Sequence, residues 1–90
     1  MPSYGFHLNI TGYEPETTEI TVDAYFSDGQ SSNDFGMVGT PGDPVTVFLG
    51  PITLNGPENV WFTIRSIDSG NTLGVKTIGP YVASEAGILP

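Results

Sequence analysis

The sequence predicts an all-β fold, a single antiparallel β-sandwich of about seven short strands, on three observations. Apolar and polar residues alternate along several short stretches, the period of two of a strand with two distinct faces. Turn formers (Gly, Pro, Asn, Asp) separate those stretches at intervals of roughly ten residues. Nothing in the chain shows sustained helical spacing.

Near the N-terminus, Tyr4, Phe6, Leu8 and Ile10 alternate with Gly5, His7, Asn9 and Thr11, and Gly12 ends the strand. Pro15, with Glu14, Glu16 and Glu19 around it, sets a loop. In the next strand Ile20, Val22, Ala24 and Phe26 share one face, and Glu19, Thr21, Asp23 and Tyr25 the other, so one side should be wet. Residues 27–44 read as irregular. Asp28-Gly29 signals a turn, and Gly36, Gly39, Pro41, Gly42 and Pro44 interrupt any long element, leaving a short strand at 35–38. Residues 45–49 form a further strand, which Gly50-Pro51 should break.

The chain is organised around residues 51–80, read as a three-stranded meander over 52–54, 60–67 and 72–78. Val60, Phe62 and Ile64 face one way, with Trp61, Thr63, Arg65 and Ile67 facing the other. Gly79-Pro80 reads as an exit from the last strand. The expected organisation is therefore a sandwich domain over 1–80 and a C-terminal arm over 81–90. That arm ends on Ile88-Leu89-Pro90 with no charge after Glu85, so it should cover apolar surface on its own domain or, the favoured reading, on a neighbour.

Composition narrows the partners. Ten acidic residues against Arg65 and Lys76 give a net charge of -8. Two bases cannot neutralise a phosphate backbone, and an anionic membrane would repel the chain, so neither nucleic acid nor membrane is expected as a partner. Charged residues make up only 13%, leaving a surface of Thr, Ser, Asn and Gly suited to docking against protein. There is no cysteine for a disulfide or thiolate site. No apolar run is long enough to span a bilayer as a helix, and the N-terminus lacks the features of a signal peptide, so the expectation is either synthesis without export or a leader already removed ahead of Met1.

No residue pattern points to catalysis, and neither a cofactor nor a metal is predicted. His7 is the single histidine; Asp23 on the following strand would be its nearest carboxylate, but no nucleophile motif accompanies them. The acidic groups lack the order of a calcium loop, and Asn9-Ile10-Thr11 reads as a chance match to a glycosylation sequon within a strand. Trp61 with Tyr4, Tyr13, Tyr25 and Tyr81 offers aromatic surface for a sugar, although aromatics in strands usually pack. The candidate interface residues are the apolar anchors Phe35, Met37 and Val38, with Tyr81, Ile88 and Leu89 of the arm.

Leu54, the turn at Pro57, Trp61, Thr63, Arg65 and Asp68 together resemble the E–F region of fibronectin type III domains, over about a third of the chain. That resemblance implies an immunoglobulin-like sandwich. A small sandwich without cysteine or catalytic motif also looks like the head decoration (cement) proteins of tailed bacteriophages. By that likeness the protein would be a non-enzymatic, oligomeric virion component on the capsid surface, its partner the major capsid protein lattice; otherwise it would be cytoplasmic. The alternative is a carbohydrate-binding or adhesion module of a larger secreted or tail-associated protein.

Overall fold

The computed structural model describes residues 3–89. Seven strands and their turns make up the fold: β1 (Ser3–Ile10), β2 (Glu19–Phe26), β3 (Ser31–Met37), β4 (Val45–Thr53), β5 (Glu58–Asp68), β6 (Asn71–Ser84) and β7 (Gly87–Leu89). No helix occurs among the described residues. Sheet A pairs β1 with β4; sheet B, which is curled, has the order β3-β2-β5-β6-β7. All ladders are antiparallel.

The alternation read from sequence sets the core. Ile20, Val22, Ala24 and Phe26 of β2 and Val60 and Phe62 of β5 meet Phe6 of β1 and Val45, Val47, Leu49 and Ile52 of β4. Phe62, Val47 and Val60 are fully buried, each side chain worth roughly 1.5–3 kcal/mol relative to exposure.

Both Gly–Pro pairs behave differently from the sequence expectation. They are bulges inside long strands, not breaks. In β4, Gly50 and Pro51 together oppose Gly5, one residue too many, because Tyr4 faces Ile52 but Phe6 faces Leu49. In β6, Gly79-Pro80 plays the same part, with Val60 facing Tyr81 and Phe62 facing Ile78. Glycine is required in both. Gly50 and Gly79 have φ of 129° and 130°, and a Cβ on them would sit 2.6 Å from the Tyr4 carbonyl oxygen and 2.8 Å from that of Val60. Proline is tolerated because a bulge residue has no ladder bond to lose.

Two corrections follow. Ile52 and Thr53 finish β4 in sheet A, so they are not the first strand of a meander. Tyr81–Ser84 continue β6, and Gly87–Leu89 return beside it as β7, so the chain makes no exit at residue 81, and Tyr81, Ala83 and Ile88 pack on their own core. Pro90 lies outside the described residues.

Residues 27–44 also hold more structure than their composition suggests. Residues 31–37 form β3, in unbroken register with β2 from Tyr25–Ser31 to Glu19–Met37. An edge strand with one wet face can be largely polar and glycine-bearing, so Ser31, Ser32, Asn33 and Asp34 hide the signal.

Candidate functional site

Residues opposite one another in a ladder share a face, so register assigns the outer surface of sheet B row by row. Phe35, Thr21, Arg65 and Val75 form one row, and Asn33, Asp23, Thr63 and Thr77 the next. Ser31, Tyr25 and Trp61 follow. Met37, Glu19 and Ile67 close one end; Asn59, Val82 and Leu89 close the other.

This face is open and mixed, with exposed apolar side chains grouped at its two ends on either side of the polar row Asn33, Asp23, Thr63 and Thr77. Phe35, Met37 and Val75 are 57%, 62% and 59% exposed, with Tyr25 and Leu89 also more than half exposed and Trp61 at 36%. Its charge is nearly cancelled: Arg65 donates to Asp23 at 2.6 Å, leaving Glu19 as the one uncompensated charge among these ladder positions. The other acidic residues sit in loops, at strand ends or, for Asp34 opposite Val22, on the far side of β3. A protein of net charge -8 thus presents one broad face almost free of charge. Large exposed apolar patches of this kind mark interaction surfaces.

The outer face of sheet A is also free of acidic residues but only two strands wide, and Phe48 is the one large apolar side chain it exposes. Phe48 meets His7 edge-on at 4.2 Å, and Thr46 donates to Asn9 at 2.7 Å. His7 and Asp23 do not come together, because β1 and β2 lie in different sheets and Asp23 is held by Arg65.

Of the residues expected at an interface, Phe35, Met37 and Leu89 share the outer face of sheet B. Val38, Tyr81 and Ile88 turn inward and pack against the core, Tyr81 against Phe62 at 5.9 Å between ring centroids. Sequence reasoning weighed Tyr25 and Trp61 only as aromatic surface for a sugar and passed over Val75 and Val82. The signal was present, since Tyr25 and Trp61 fall on the nominally polar side of their strands, but only the pairing of β2, β5 and β6 joins them to Phe35.

The two long flanks between the sheets differ. Beside β3 and β4, Gln30 donates to the Thr53 carbonyl at 2.6 Å and accepts from the Thr53 amide at 3.2 Å, and the Gly50 amide donates to Ser32 at 2.9 Å. Beside β1 and β6 a cleft of about 440 Å³ lies open over Leu8, Ile10, Ile20, Ile64 and Ile78. The loop from β1 to β2 crosses one end. There the Ser66 hydroxyl donates to Glu14 at 2.6 Å, and this bond, helped by a backbone amide, holds the Glu14 carboxyl below its ordinary range. Asp28 is depressed likewise, by the Gln30 backbone amide first and then by its side-chain amide.

No group of three or more His, Asp or Glu placed to hold a metal ion occurs among the described residues. Comparison of the chain with known protein families, curated proteins and solved structures returns no match.

Proposed function

We propose that this chain is a non-enzymatic structural protein that docks the outer face of sheet B onto a partner protein. The observation that carries the reading is the number of large apolar side chains exposed at the two ends of that face. Phe35, Met37 and Val75 stand at one end and Tyr25, Trp61, Val82 and Leu89 at the other, with little net charge between them on an acidic molecule. Tyr and Trp in such a patch are the residue types that dominate binding energy once desolvated. The likeness to immunoglobulin-like decoration proteins makes an assembled capsid lattice the first partner to test. A protein that binds the assembled shell and not its separated subunits stabilises the shell by mass action.

The combined Phe35→Ser, Met37→Ser and Val75→Ser variant should fold with stability within about 1 kcal/mol of the parent, because all three side chains are exposed. It should lose cosedimentation with assembled shells from the same source. Undiminished cosedimentation would reject the face. A second reading, sugar binding, is favoured by one observation: Tyr25 and Trp61 are cross-strand neighbours, both exposed. Saturable quenching of Trp61 by a soluble polysaccharide, unaffected by the triple variant, would select it instead.

A further inference from the structure

We propose that the open flank between β1 and β6 receives an extended strand from a partner polypeptide, with alternate apolar side chains and a carboxylate near Lys76. This site is separate from the outer face of sheet B, and either can fail without the other.

Two free strand edges face this cleft. β1 pairs only with β4, and β6 over residues 71–78 pairs only with β5, so among the described residues neither outward edge has a ladder partner. The aliphatic side chains between them, Ile10, Ile64 and Ile78, pack against the core cluster and stay only partly buried. Rows of backbone donors and acceptors beside an apolar floor select an extended chain, whose main chain pairs with the edge while every second side chain enters the groove.

β7 shows what fits there. Gly87–Leu89 runs antiparallel to residues 82–84 of β6 and lays Ile88 on the core, beside Ile78 and Leu8. A strand continuing along that track would pass Gly79-Pro80 and reach Ile78, Lys76 and Gly74, where the cleft opens. Charge narrows the choice. Arg65 is paired with Asp23, while Lys76 has no ion-pair partner among the described residues and stands on the cleft's rim. A lysine on an edge strand opposes indiscriminate pairing, and a strand bringing its own carboxylate overcomes that bar.

The test tethers such a strand to the protein. Val-Thr-Glu-Thr-Val-Thr is fused after Pro90 through a Gly/Ser linker, with a length-matched Gly/Ser fusion as control. The strand's two valines and its glutamate share one face, in step with Ile78, Lys76 and Gly74. Hydrogen exchange of amides 72–78 should slow by at least about tenfold in the strand fusion relative to the control. Equal exchange in the two fusions, or slowing confined to β3, would overturn the proposal. The same fusion carrying Ile10→Asp should lose the protection, since the carboxylate fouls the groove. Full protection in that variant would also overturn it, by showing that the strand pairs without using the cleft.

Discussion

One cross-strand row of sheet B ends in glycine on both sides: Gly36, Ile20, Ser66, Gly74. The two ends have opposite surroundings. Over Gly36 lies β4, so close that a Cβ would stand 2.6 Å from a Val45 methyl and 3.1 Å from the Thr46 carbonyl oxygen. Over Gly74 lie two side-chain tips and no backbone: the Glu14 carboxylate, on a loop, and at 3.3 Å the hydroxyl of its row neighbour Ser66. The closed flank is sealed as core is sealed, with β4 backbone groups satisfied by Gln30 and Ser32. The open flank is bridged by one side-chain contact and leaves aliphatic floor uncovered. A sheet's hydrophobic pattern alone does not close a sandwich; polar side chains placed to satisfy the facing backbone decide which flank shuts.

The largest effect expected from breaking this contrast is at Gly36. Gly36→Ala forces buried Val45 to move, costing about 2 kcal/mol, a fall in Tm of about 8–16 °C in a domain this size. Gly74→Ala needs only that Glu14 swing away, so Tm should fall far less while the Glu14 titration returns toward the ordinary carboxylate range. Equal losses would mean that the flanks are built alike. Next in size is Gln30→Ala, which strips the Thr53 amide and carbonyl of their partner and should cost about 1–2 kcal/mol by urea unfolding.

A smaller effect follows from pH. Glu14 and Asp28 each have a folded pKa below the ordinary value. Their stabilisation is therefore complete above the ordinary carboxylate pKa, about 4, and is lost as pH falls through the depressed folded value. Ser66→Ala should move the Glu14 midpoint upward and leave that of Asp28 alone, as NMR titration would register. Movement of both would show the flanks to be coupled.

Much of this fold is legible in the sequence, and the reasons for the rest are local. The alternation of Tyr4, Phe6, Leu8 and Ile10, of Ile20–Phe26 and of Val60–Ile67 gives strands and their inward faces directly. Gly50-Pro51 and Gly79-Pro80 mislead because the same residues that end a strand also make a bulge, and only the partner strand distinguishes the two. β3 is obscured by polar edge residues. The candidate face was half visible: Phe35, Met37 and Leu89 stand out as isolated apolar residues, whereas Tyr25, Trp61 and Val75 join them only through register. The open cleft leaves no mark in the sequence, because it depends on which strands remain unpaired.

The central claim is that the outer face of sheet B, not that of sheet A, contacts a partner protein. Phe35 and Phe48 make the comparison clean, being 57% and 56% exposed on the two opposite faces. A photo-cross-linking phenylalanine analogue is placed at one position or the other, and the protein is irradiated within its native assembly. Position 35 should give one dominant cross-linked protein, lost when Met37→Ser and Val75→Ser are added, and position 48 should give none. Cross-links from position 48 with none from position 35 would contradict the account.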